Sequence, residues 1–497
     1  MNALYNIFYM KKLLRNWIFW LLILATITGL GYMFAQYRAN RFKVLDRTAF
    51  NDFKTEFEST FELGIESQDQ LSSFITDWAD SNNLEYKTDS AGNIVFNTPA
   101  IDRKKSVSPT VIVVGMNSKT AHEKSSLFAS AAMLALSDLQ SSRKTVIFVN
   151  DELASGKGYM SLSNKLISSK SKVIYMDQAA KAYLSVESFA ETVSEIKIPV
   201  SKEKHELDSA VKVKISGIKT AELGPSISDQ PDPVAALASM LSRLKSKSVS
   251  YRIADFSIGS NGKMYPDSIE ACILINSYSM ESFTKFIDQT IKNWNKAYSK
   301  SNPDIEFTYE VIDEENQIPS ECFDADSSDL ITGILYTINS GVYTFTKSDP
   351  VPEGKNIGDP CGLNCVTDAD VSDSSIKLRL ISQGYNEMFL NRIVIDNQAA
   401  AELLSCDYSV VESHDAFINE KDSLLRTFKS TYTNVNSTSD NTIIKVSSDN
   451  KFTPCSYLSE KNSKADIIHL CLSRKSAAKL TNTLMCYIKA KGNTFTL

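Results

Sequence analysis

Short runs of β-branched residues alternate along the chain with longer stretches in which apolar residues recur every three or four positions. Three runs stand out: Thr110–Val114 (TVIVV), Thr145–Val149 (TVIFV) and Lys172–Met176 (KVIYM). Each is too short for a buried helix and suits a strand covered on both faces. Between them, Ser125–Leu139 is rich in Ala, Leu and Met and predicts a helix. A Gly-containing loop, Leu153–Gly158, leads into a second predicted helix at Tyr159–Ile167. Strand, helix, strand, helix, strand is the signature of an α/β domain with a parallel sheet. Ahead of it, Asp46–Glu62 and Ser67–Ser81 read as amphipathic helices and Asn93–Phe96 as one arm of a hairpin.

From about Val193 the pattern changes. Strands are expected at Val211–Ile215, Arg252–Ile258, Ser268–Asn276 and Glu306–Val311, with helices at Pro233–Leu244 and Ser279–Trp294. A second set follows: a helix at Ser328–Thr337, strands at Asn364–Val371 and Ser375–Ser382, a helix at Tyr385–Leu403 and a strand at Asp407–Val411. Each set has the make-up of a ferredoxin-like unit, two helices on one face of an antiparallel sheet. Residues 193–415 therefore read as a two-part inserted domain. After Ala416 the first pattern resumes, with strands at Thr442–Val446 and Ile467–Leu472 and a closing helix at Lys475–Lys489.

The N-terminal stretch Trp17–Ala35 (WIFWLLILATITGLGYMFA) is almost wholly apolar and long enough to cross a bilayer as a helix. A cleaved signal peptide is the competing reading, but the apolar core is long for one and lacks a convincing small-x-small cleavage site. One transmembrane helix in a single-pass membrane protein is expected. Lys11, Lys12 and Arg15 precede it and Arg38, Arg41 and Lys43 follow, so the positive-inside rule is nearly balanced. The short basic tail favours an extracytoplasmic over a cytoplasmic large domain.

Composition adds little: 43% hydrophobic, 23% charged and a net charge of −6 with both signs interspersed are ordinary for a globular chain. No basic stripe points to nucleic acid. All eight cysteines lie in the second half. Cys361 and Cys365 share a short Gly/Asn loop (CGLNC) and could pair in an extracytoplasmic domain; the bland reading is free thiols. With no second close pair, a zinc knuckle is not expected.

Each of the three core strands ends in a polar cluster: Gly115-Met116-Asn117, Asn150-Asp151-Glu152, and Asp177. Ligands bind at the carboxyl ends of strands in open α/β sheets, which makes these ends the candidate site.

The order of elements, with the stretches Phe74–Pro99, Pro109–Asp177, Val211–Leu244 and Ser268–Trp294, resembles the zinc-dependent exopeptidases that include aminoacyl-histidine dipeptidase and the glutamate carboxypeptidases. The resemblance covers most of residues 65–497. It implies an α/β zinc-exopeptidase-like catalytic domain (45–192 and 416–497), interrupted by a two-part ferredoxin-like α+β lid (193–415) and preceded by the tail and transmembrane helix (1–44). It also implies two zinc ions at the strand ends. The family's His-x-Asp pattern falls on Gly115 and Asn117, where glycine offers no ligand atom and asparagine has lost the charge. Its bridging acid falls on Glu123, its general base and following ligand on Asp151 and Glu152, and its next ligand on Asp177. The lid histidine that would stabilise an oxyanion falls on Glu222, the wrong sign for that task. The C-terminal histidine ligand has no clear counterpart; His469 lies nearby, inside an apolar strand.

The chain has four histidines, His122, His205, His414 and His469, and none matches a ligand position. The remaining donors are oxygens, which suit calcium, magnesium or manganese better than zinc, with His122 a substitute nitrogen ligand. Taken singly, the acids have local readings: Asp151 and Glu152 as loop caps, Glu123 favouring a helix start, Asp177 ending a strand, Glu222 and His122 on the surface. Two functions follow. One is a membrane-anchored, catalytically impaired relative acting as a binding or scaffold module, with a peptide or dipeptide ligand and no required cofactor. The other is an active metal-dependent dipeptidase or amide hydrolase using zinc or manganese and Asp151 as base. A homodimer through the lid is a third expectation.

Overall fold

The structure, a computed structural model, describes residues 45–492 apart from 46, 63–64, 66, 99–108, 138–143, 153–155, 219–230, 260–264, 313, 352–354 and 437–444, together with Trp17, Ala25, Thr26, Thr28 and Gly29. Most of the apolar Trp17–Ala35 stretch, and Glu222, lie outside the described residues. Among the described residues no helix is long and apolar enough to cross a membrane.

The three β-branched runs form adjacent parallel strands, Thr110–Met116 flanked by Lys144–Asn150 and Lys172–Gln178. A fourth strand, Asp466–Leu472, comes from the far end of the sequence and pairs in parallel with Lys172–Gln178. Ile94–Thr98 and Lys87–Thr88 extend one side of the sheet; Tyr183–Ser185 and Lys445–Ser447 extend the other, for eight strands. The four parallel strands are apolar on both faces because both faces are covered. On one face, Ile112, Val114, Ile174 and Ile468 pack against Phe57 of helix Arg47–Glu62, Phe128 of helix Ser125–Leu136 and Leu480 of helix Ala477–Gly492. On the other, Val111, Val113, Val173 and Ile467 pack against Tyr159, Tyr457 and Leu458. Period two along a strand puts Gly115, Asp177, His469 and Cys471 on this second face.

The lid holds two βαββαβ units, and one is inserted in the other. The inner unit comprises strands Ser209–Ser216, Tyr251–Gly259, Ser268–Ile275 and Glu306–Ile312 with helices Pro233–Ser246 and Met280–Tyr298. The outer unit begins earlier, at strand Ala190–Pro199. It resumes with helix Ala325–Thr337, strands Pro360–Val371 and Ser375–Gly384, helix Glu387–Leu403 and strand Asp407–His414. Both sheets are antiparallel. The chain enters and leaves the inner unit through a two-strand ribbon, Lys202–Lys204 against Glu321–Phe323. One hydrophobic core runs through both units.

Two local expectations are overturned. Cys361 and Cys365 are buried on a strand, Pro360–Val371, and not in a loop. Four residue-to-residue steps of extended chain place them about 13 Å apart, well beyond the roughly 7 Å at which two Cα atoms can be bridged by a disulfide. Among the described residues no disulfide forms. The helix expected over Tyr159–Ile167 is a single turn, Lys157–Ser161. Serines dissolve the rest into turns: the Ser163 and Ser171 hydroxyls accept the N–H groups of Lys165 and Ser168, offering the backbone partners a helix would not.

Candidate functional site

At the carboxyl end of Thr110–Met116 the chain turns into a short helix, Ser118–Ala121. Asn117 caps it. Its side-chain oxygen accepts the Lys119 N–H at 3.0 Å while its amide donates to the Asp151 carbonyl at 3.2 Å, tying two strand ends together. Gln68 braces the same corner, donating to the Met116 carbonyl at 2.9 Å and accepting the Ser118 N–H at 3.1 Å. The position matched to a charged orienting group thus performs a neutral, structural task.

Gly115 faces a closed wall. A Cβ there would sit 2.5 Å from the Tyr159 hydroxyl and 3.6 Å from the Asp151 carboxylate. Tyr159 is fully buried, stacked on Tyr457 at 5.8 Å and edge-on to Tyr175 at 6.2 Å, so the ring has nowhere to retreat. Gly156, in the left-handed region at φ 72°, lies under the Tyr457 ring.

Asp177 is buried and already neutralised. The Lys124 ammonium lies 2.9 Å from its carboxylate and that of Lys451 3.7 Å away. Burial alone would push the Asp177 carboxyl up; Lys124, Lys451 and His469 outweigh it and hold it well below the usual carboxylate range. Gln178 sets Lys124 in place. Its side chain donates to the Glu123 carbonyl at 2.5 Å and accepts the Leu127 N–H at 3.0 Å, fastening the His122–Lys124 turn over the strand end.

The other predicted residues are placed differently. His122 and Glu123 are exposed on that turn, Glu152 is exposed, and Asp151 is half-buried with its N–H donated to the Met116 carbonyl at 2.9 Å. Asp177 lies on the Gly115 face, deep under lysines. The sequence reading missed Lys124 and Lys451, which had no motif to announce them. It also passed over the fourth strand end, where the buried ring of His469 meets Asp449 at 2.6 Å and Cys471 at 3.2 Å. Burial opposes a charge on His469, but Cys471 and Asp449 hold its imidazole well above the usual range. The available signal was His-x-Cys at strand period in IIHLC.

The fold family implies a two-metal centre, and the described residues do not fit one. The Gly115 position has neither a donor atom nor room for one, the Asp177 carboxylate is held by two ammonium groups, and among the described residues no three His, Cys, Asp or Glu side chains are grouped to hold a metal ion.

No protein-family sequence model matches the chain, and no curated protein matches it in sequence. Solved structures do. Aminoacylhistidine dipeptidase from Vibrio alginolyticus superposes with a TM-score of 0.55 at 11% identity, covering 90% of this chain and 97% of that one. At this identity the likeness establishes the fold: a mixed α/β, dipeptidase-like architecture. Aminopeptidase PepT from Bacillus cereus (TM-score 0.43, 8% identity, 89% of this chain and 98% of that one) and human carnosine dipeptidase 1 (0.43, 9%, 90% and 99%) are also similar. The fold assignment rests on the first.

Proposed function

We propose that this chain uses a dipeptidase fold as a non-hydrolytic binding or scaffold module, held at a membrane by Trp17–Ala35. The observation that carries the reading is the pair of ammonium groups on Asp177: the charge a divalent ion would neutralise is neutralised by Lys124 and Lys451. A metal would have to displace two cations from a buried carboxylate and find its remaining ligands among side chains that face solvent. The ligand favoured by the fold is a peptide or dipeptide held between lid and sheet. A homodimer through the lid belongs to the same reading. Asp407–His414 is an edge strand of the outer unit, with Val410 and Val411 exposed.

The test uses the full-length chain purified in detergent. Metal content is measured by mass spectrometry, and hydrolysis of a mixed dipeptide panel is followed with added zinc or manganese. The expected result is neither stoichiometric metal nor turnover, with protein sedimenting in the membrane fraction until detergent is added. Bound metal together with turnover that disappears in Asp151→Ala would establish the hydrolase instead.

A further inference from the structure

The lid returns to the sheet body at His414, the last residue of strand Asp407–His414, and its side chain bridges the two. Nδ1 lies 2.8 Å from Glu460 Oε1, on helix Cys455–Lys461 of the sheet body. Nε2 lies 3.8 Å from Glu412 Oε2, on the lid's own edge strand. The residue opposite His414 across the ladder is Glu191, a buried carboxylate that accepts the Gln383 amide at 2.9 Å. Tyr457 meets the imidazole edge-on at 4.7 Å and Phe452 lies against it at 5.9 Å, leaving only 12% of the side chain exposed. Burial, and then the carboxylates of Glu191, Asp151, Glu412 and Glu460, push the Tyr457 phenol up, so four acids converge on this junction. Just beyond it the two chain crossings are tied to each other. The Ser188 N–H donates to the Phe417 carbonyl at 2.9 Å, and the Asn419 N–H to the Val186 carbonyl at 2.8 Å.

We propose that His414 is a proton-operated clamp on the lid: its imidazolium holds Glu412 and Glu460 at once, and loss of its proton frees the lid to swing about the paired segments 186–188 and 417–419. An imidazolium has two N–H donors, one for each carboxylate. The neutral ring keeps one and turns a lone pair toward the other acid. Like charges then face each other across the joint, Glu191 and Glu412 on the lid against Asp151 and Glu460 on the sheet body. The remaining charges beside these residues in the chain are Asp415 after His414, Lys461 after Glu460, and Lys451, whose ammonium lies 3.7 Å from Asp177.

Acidification favours the closed lid, because the attraction to two acids is present only when both bodies meet at His414. Two other bonds between lid and sheet body, from the Phe452 N–H to Gln383 and from Lys355 to Asn450, involve no group that titrates near neutrality. The clamp acts on lid position and does not depend on whether the chain hydrolyses or binds peptides.

The full-length protein in detergent is followed by hydrogen exchange at about pH 8 and about pH 5.5, with protection corrected for the intrinsic pH dependence of amide exchange. Peptides holding Phe452, whose N–H bonds the lid, and residues 417–419 are expected to be about fivefold better protected at the lower pH, while the core strand Thr110–Met116 stays unchanged. His414→Gln should remove the pH dependence and show the looser exchange at both pH values, and Glu460→Gln should remove most of it. Wild-type protection independent of pH, or a pH dependence that survives in folded His414→Gln, would overturn the proposal. So would a change that spreads equally to Thr110–Met116, which marks general loosening. The wild-type comparison stands even where a variant does not fold.

Discussion

Gly115 and Tyr159 show how a single position closes a site. The clash a Cβ would make is with the hydroxyl at the end of a ring that its neighbours hold in place. Gly115→Ala is expected to cost about 1–3 kcal/mol, the range for overpacking a filled interior. Tyr159→Phe removes the offending oxygen and should recover part of that loss in the double variant, a coupling that urea denaturation of the four proteins measures. Asp177 carries a second expectation. A carboxylate held below its unfolded value of about 3.9 stabilises the fold fully above that pH, and the contribution is lost as pH falls through the lower folded value. Asp449 and Asp466 are also lowered and add the same sign: burial opposes both, while His469 outweighs it at Asp449 and Lys172 at Asp466. Lys124→Met leaves Asp177 buried with one cation fewer, at an expected cost of about 3 kcal/mol near neutrality. Because the Asp177 shift shrinks, its stability curve should fall less steeply between about pH 4 and pH 2 than that of wild type. Urea denaturation across pH reads both effects, and a curve parallel to wild type would contradict the role assigned to Lys124.

At the scale of elements, hydrophobic period alone located the core strands, and for a physical reason. A strand buried on both faces must be apolar throughout, and only TVIVV, TVIFV and KVIYM combine that with β-branching in the N-terminal half. What the period could not reveal was the extent of each element where polar side chains compete for the backbone. Tyr159–Ile167 loses its helix to serines, and Pro360 begins a strand that absorbs both cysteines of CGLNC. An oxidising buffer should leave Cys361 and Cys365 unlinked. Peptide mapping without reduction is expected to find both as free thiols, since pairing them would require unfolding the strand against Ser375–Gly384.

At the scale of the whole molecule, the polypeptide folds as two bodies of different make-up. The lid units share one core, and the eight-stranded sheet has its own packing on each face. Bonds between the bodies are polar, such as His414 Nδ1 to Glu460 at 2.8 Å and the Phe452 N–H to Gln383 at 3.3 Å. Calorimetry is expected to resolve two unfolding transitions. Ile273→Ala, a fully buried lid residue, should lower only one of them by about 2–5 kcal/mol of stability. The sequence by itself determined the α/β character, the parallel strands and the emptiness of Gly115, because these follow from residue type and period along a local stretch. It also showed Asp151, Glu152 and Asp177 as acids at strand ends. Only the tertiary structure decided that Lys124 and Lys451 neutralise Asp177, that the outer lid unit starts before the inner one, and that Asp449, His469 and Cys471 align. Charge pairing and burial depend on which distant segments meet, and no periodicity records that Lys451 lies beside Asp177 or that the strand of residues 466–472 stands next to that of 172–178.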